Sequence, residues 1–89
     1  MSRVVVLDSF DEDLEHVTSA RVYNAILDAV ESLEQFPQRG SISIPKSIKS
    51  KYGTRVRKIV VNPFDVVYSY DSQDDIVIVM GLVHQRNAS

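Results

Sequence analysis

The sequence predicts an α+β fold, with an N-terminal strand and a helical hairpin packed on a twisted antiparallel β-sheet. Three observations carry this. Apolar residues recur at helical spacing between residues 10 and 35. After residue 54 the pattern changes to runs rich in Val, Ile, Tyr and Phe. The breaks between those runs are too short for crossover helices, so consecutive strands must turn back as an antiparallel meander.

Each element follows from its residues. Val4-Val5-Val6-Leu7 is a short β-branched run that favours a strand. Asp8 and Ser9 follow it, and either side chain is able to cap a helix over Phe10–Val17. Asp11, Glu12 and Asp13 suit the positive end of that helix's dipole. Three adjacent acids on a helix point in different directions, so they are read as solvated charge and not as a metal cluster. Thr18 and Ser19 interrupt the helix, and a second one is expected over Ala20–Gln35. There Val22, Ile26, Val30 and Leu33 form one apolar stripe, and Pro37 and Gly40 stop it.

Ser41–Tyr52 is polar and basic with no clear period, and is expected to be a loop with a short strand at Ser43–Ile44. Strands are expected at Thr54–Val61, Phe64–Tyr70 and Ile76–Val83, broken by Asn62-Pro63 and by the polar turn Asp71–Asp75. The last run is the most apolar and is expected at the centre of the sheet.

Composition narrows the function classes. The 89 residues amount to one domain, 1–89, near the lower size limit for independent folding. With no cysteine and two histidines, disulfides and thiolate zinc sites are excluded, and neither a metal nor another cofactor is expected. No apolar run is long enough to span a bilayer and no signal peptide is visible, so a cytoplasmic protein with no membrane partner is expected.

The net charge of −2 hides a dipolar chain. Residues 1–40 carry three basic and eight acidic side chains, while residues 41–89 carry seven basic and four acidic. Lys46, Lys49, Lys51, Arg55, Arg57 and Lys58 lie in one stretch without an acid. Such a stretch suits a polyanion, an acidic protein partner or plain solvation.

Two further places are able to carry chemistry. His84 and Arg86 follow the last strand two residues apart, which places them on one face if the chain stays extended. An imidazole beside a fixed cation suits acid–base work at a phosphodiester, although a polar strand end often carries such a pair. Tyr68 shares a face with Tyr70, either to stack a base, to place a hydroxyl in a site, or to half-fill the sheet.

Taken together, these residues resemble the RelE/ParE toxin superfamily of type II toxin–antitoxin modules, sometimes called plasmid stabilisation proteins. Ser9-Phe10 with Asp13-Leu14 is similar to the start of the family's first helix. Leu33, Phe36-Pro37 and Gly40 are similar to its helix-ending pattern. Arg57, Pro63-Phe64 and Tyr68 resemble its central hairpin, and Val79–Arg86 resembles its last strand. The resemblance implies a cognate antitoxin as partner.

It also implies one of two activities. ParE-like members inhibit growth by poisoning DNA gyrase. RelE-like members cleave mRNA on the ribosome. The His84–Arg86 ending favours the ParE-like reading. As a nuclease, the chain would use His84 as acid or base, Arg57 and Arg86 to stabilise charge, and Lys46, Lys49, Lys51, Arg55 and Tyr68 to hold substrate or partner, with no general base identified. A third reading is a non-toxic homologue that only binds an antitoxin.

Overall fold

The computed structural model describes residues 1–87. In chain order it contains β1 (Arg3–Val6), α1 (Asp8–Leu14), α2 (Ala20–Ser32), α3 (Lys46–Tyr52), β2 (Arg57–Val61), β3 (Phe64–Asp71) and β4 (Ile76–His84), and then a 3-10 turn over Gln85–Asn87. The architecture is α+β, as the residue pattern predicts.

The strands lie in the order β1-β4-β3-β2. β2, β3 and β4 form the expected antiparallel meander, while β1 joins the far edge of β4 in parallel, Arg3 opposite Ile76 and Val6 opposite Val79. The sheet is therefore mixed. A parallel partner requires a long connection, and here everything from α1 to β3 lies between the two strands. β4 is central, with Val77 and Val79 fully buried.

The two faces of the sheet are covered differently. Phe10 and Leu14 of α1, and Val22, Ile26 and Ala29 of α2, pack with Leu33 onto Ile59, Val66, Tyr68, Val77, Val79 and Leu82. The opposite face is covered by α3. There Ile44 and Ile48 meet Val56 and Val67, with Tyr52, Met80 and Val83 at the border. The stretch expected to be a loop is thus partly a helix. Ile44, Ile48 and Tyr52 recur at steps of four and bury one side of it, and the intervening lysines and serines mask that period.

Local boundaries also differ from expectation. α1 starts at Asp8, so its N-cap position falls on Leu7, which has no acceptor to cap with; Ser9, already inside the helix, donates instead to the Met80 carbonyl. Ser19 does cap α2, accepting from the Val22 N–H at 3.2 Å. α2 stops at Ser32, and the chain winds through turns before Pro37.

A β-bulge sits in β4. Val67 faces Gly81 but Tyr68 faces Val79, which leaves Met80 as the extra residue. Beyond it β4 has no β1 partner. α1 supplies one: besides the Ser9 bond, the Leu82 N–H donates to the Asp13 carboxylate at 3.0 Å. Asp13 therefore closes a sheet edge, a role not visible in the acidic triplet. No helix of the described residues is long and apolar enough to cross a membrane.

Candidate functional site

The proposed site residues fall into three places. The first is built around Tyr68, which is completely buried. Its hydroxyl accepts the Gly40 N–H at 2.8 Å and donates to the Pro37 carbonyl at 2.9 Å. Burial raises its pKa; the Gly40 hydrogen bond and the charges of Arg57 and Arg39 act the other way. Arg57 stands opposite Tyr68 in the β2–β3 register and donates to the carbonyls of Gln38 (3.1 Å) and Gly40 (2.9 Å). Both side chains fasten the Pro37–Gly40 segment to the sheet. The ring of Tyr68 has no exposed face on which to stack a base.

The second place is α3 and the stretch after it. Lys46, Lys49, Lys51 and Arg55 are all exposed. Lys58, by contrast, pairs at 3.6 Å with the buried Asp65, which also accepts from the Gln85 amide at 3.3 Å.

The third is the end of β4. His84 packs edge-to-face on Phe64, ring centroids 5.2 Å apart. Its Nδ1 accepts the Arg86 N–H at 3.1 Å. That bond fixes the neutral tautomer with its proton on Nε2. His84 and Arg86 do not share an extended face, because the chain leaves the sheet at Gln85, whose N–H donates to the Pro63 carbonyl at 2.8 Å. The 3-10 turn that follows cancels the two-residue alternation expected of a strand.

Arg57 and His84 are not brought together. They pair with Tyr68 and Phe64, four residues apart on β3, and lie on strands either side of it. That separates them by about 13 Å along the strands and about 10 Å across them.

His84 does meet α3. A cleft of about 220 Å³ between α3 and the end of β4 is lined by Ser47, Lys51, Tyr52 and His84 over a floor of Leu82 and Val83. The Lys51 ammonium lies 5.4 Å from the Tyr52 ring centroid. The Tyr52 hydroxyl lies so close over Gly81 that a Cβ there would collide with it. The Ser47 hydroxyl is buried and has no protein partner. An ammonium, a phenol and a hydroxyl together offer donors and positive charge to an anionic oxygen. Among the described residues no three His, Asp or Glu side chains gather as a metal set.

Ser47 and Tyr52 were not among the residues singled out from the sequence. The four-residue spacing of Ile44, Ile48 and Tyr52 is the signal that would have placed them on a helix, one beside the buried face and one on it.

Comparison with known proteins agrees with this geometry. No curated protein sequence matches the chain. Three solved complexes share the fold. The toxin–antitoxin complex RelBE2 from Mycobacterium tuberculosis matches at 15% identity with a TM-score of 0.70, over 93% of this chain and 96% of that one. The intact RelBE complex from E. coli matches at 10% identity and a TM-score of 0.68, over 94% and 96%. The archaeal RelE–RelB complex from Pyrococcus horikoshii OT3 matches at 17% and 0.67, over 94% of each chain. The family model for the ParE toxin of the type II toxin-antitoxin system parDE matches residues 4–88. With a family model matching over nearly its whole length, and a fold shared with chains of those RelBE complexes, the chain belongs to the ParE toxin family of type II toxin–antitoxin systems.

Proposed function

We propose that this member of the family inhibits bacterial growth through DNA gyrase, by binding and not by hydrolysis, and is neutralised by a cognate antitoxin. The observation that carries the reading is the dispersal of the cations that phosphodiester cleavage would need. Arg57 is engaged with two backbone carbonyls and lies well away from His84. A phosphorane needs several donors converging on one oxygen, and a binding surface does not. The test is to add the purified protein to gyrase supercoiling and cleavage reactions and, in parallel, to a translation reaction. Inhibition of gyrase alone is expected. Inhibition of translation with gyrase untouched would overturn the reading.

A second reading, ribosome-dependent mRNA cleavage, is favoured by one observation. Lys51, Tyr52 and His84 line a single cleft. Only in its doubly protonated form, with the Arg86 N–H released from Nδ1, would His84 be suited to protonate a leaving oxygen, while Lys51 is suited to hold a phosphate. A homologue that binds an antitoxin without toxicity is separated from both by a growth assay in the absence of antitoxin.

The antitoxin contact is proposed at the β2 edge. Lys58 exchanges both backbone hydrogen bonds with Ser41, so its neighbour of like parity, Val60, also turns its N–H and C=O outward. Val60 and Ile42 are 51% and 72% exposed there. An open edge with apolar side chains accepts an added strand.

A further inference from the structure

Ser47 carries the one buried side-chain polar atom, among the described residues, that has no hydrogen-bond partner. Buried hydroxyls are normally paired, and an exception calls for a reason. Ser50, three residues on, bonds back to its own helix, its hydroxyl donating to the Lys46 carbonyl at 3.0 Å. Ser47 makes no such bond. It stands instead at the cleft of about 220 Å³ between α3 and the end of β4. The residue as a whole is only half-buried, so a turn about χ1 is enough to bring its hydroxyl to a bound oxygen.

A hydroxyl alone does not choose between a cation and an anion, because it both donates and accepts. Its neighbours make the choice. Lys51 follows Ser47 by four residues, so the two side chains share one flank of α3, and both line the cleft. The one ion pair among the described residues joins Lys58 to Asp65, so Lys51 holds no carboxylate. No Asp or Glu lines the cleft. Lys46, Lys49 and Arg55, all exposed on or just beyond the same helix, add to the positive potential around it.

Geometry narrows the anion further. Tyr52 places its phenol oxygen over Gly81 of β4. The donors therefore come from the helix flank and from the sheet surface, not side by side on one plane. A flat carboxylate is best matched by the planar fork of arginine, and no arginine lines the cleft. A lysine point charge with separate hydroxyls suits the divergent oxygens of a tetrahedral phosphate.

We propose that the α3 cleft is a phosphate-binding site, in which the Lys51 ammonium and the hydroxyls of Ser47 and Tyr52 hold the oxygens of one phosphate group. The site shares Lys51 with the nuclease reading but requires no cleavage, and it holds equally for a gyrase inhibitor. The phosphate is either free in solution or part of a nucleic-acid backbone.

The test follows the backbone amide signals by NMR while sodium phosphate replaces sodium chloride at constant pH and ionic strength. Saturable shifts centred on Ser47, Lys51 and Tyr52 are expected. Ser47→Ala removes a hydroxyl that has no protein partner, so it is expected to keep the urea midpoint and to weaken phosphate binding several-fold. Tyr52→Phe, which keeps the ring over Gly81, is expected to weaken it several-fold, and Lys51→Met about tenfold. Unchanged binding in the Ser47→Ala protein, or unsaturable shifts spread evenly over Lys46, Lys49 and Arg55, would overturn the site. An equal response to acetate would overturn the assignment to phosphate. Dimethyl phosphate separates the two sources. Binding as tight as that of inorganic phosphate upholds a site for a nucleic-acid backbone, and weaker binding upholds a site for free phosphate.

Discussion

The hydroxyl of Tyr68 sits 2.8 Å from the backbone nitrogen of Gly40, and a methyl group on Gly40 would fall 2.6 Å from that same oxygen. One glycine thus serves both as donor and as the space through which the donor is reached. Tyr68→Phe removes the hydroxyl but not the buried Gly40 N–H, and is expected to cost about 1–3 kcal/mol. Gly40→Ala should cost about as much through overpacking. Urea unfolding is the measurement, and both variants should lower the midpoint at an unchanged slope.

The turn between β3 and β4 is expected to set the pH limits of stability. Asp75 accepts from the Ser2 hydroxyl at 2.6 Å and from the Tyr70 hydroxyl at 2.8 Å, and these bonds, that of Ser2 foremost, hold its pKa below the usual aspartate value. Its contribution is therefore complete above the unfolded value of about 3.9 and is lost as pH falls through the lower native value. The same bond raises the pKa of Tyr70, whose contribution holds below about pH 10 and is lost as pH rises through the native value. Asp75→Asn should flatten the acid limb of a stability–pH profile. The residue has φ of 54°, which asparagine tolerates, so the backbone is not strained by the change. An acid limb identical to that of the parent protein would count against this account.

Asp13 provides a third prediction. Its carboxylate is the partner of the Leu82 N–H in the part of β4 that β1 does not reach. Asp13→Ala should destabilise the chain by about 1–2 kcal/mol, and amide exchange should quicken at Leu82 before it does at Val77. Exchange that quickens equally along β4 would show that α1 does not close this edge.

The two cleavage-related residues should behave differently. Arg57→Ala frees the carbonyls of Gln38 and Gly40, so it should lower the unfolding midpoint. If the chain is a nuclease, His84→Ala should cut mRNA cleavage by about 10²–10⁴-fold, the range for loss of a general acid or base. A loss below tenfold in a ribosome-dependent cleavage assay would count against the nuclease reading.

Much of the fold was legible because it rests on local periodicity. Val22, Ile26 and Leu33 report their buried face directly, and Asn62-Pro63 marks its own turn. α3 was not legible, since its only buried side chain inside the helix is Ile48 and the residues around it are the ones that also make a basic loop. The parallel pairing of β1 was hidden for another reason. Val4 and Val6 state that they belong in a sheet, but nothing local states which strand lies beside them. The site was least legible. His84 and the basic stretch stand out as residue types, yet the residues around His84, namely Lys51, Tyr52, Phe64 and His16, come from three other parts of the chain. Arg57 shows the converse. It matched a catalytic pattern by position, while its guanidinium is held by the loop that Tyr68 also holds.

The pairing of β1 with β4 has a consequence for synthesis. Arg3 leaves the ribosome long before Ile76 is made, and at roughly 5–20 residues per second the delay is roughly 4–15 s. During that interval β1 has no strand to join, and the central layer cannot close around Val77 and Val79. Any surface that depends on the finished sheet, including the β4 end, comes into being only after Ile76–His84 has been made. A partner that recognises the completed sheet has nothing to hold before then.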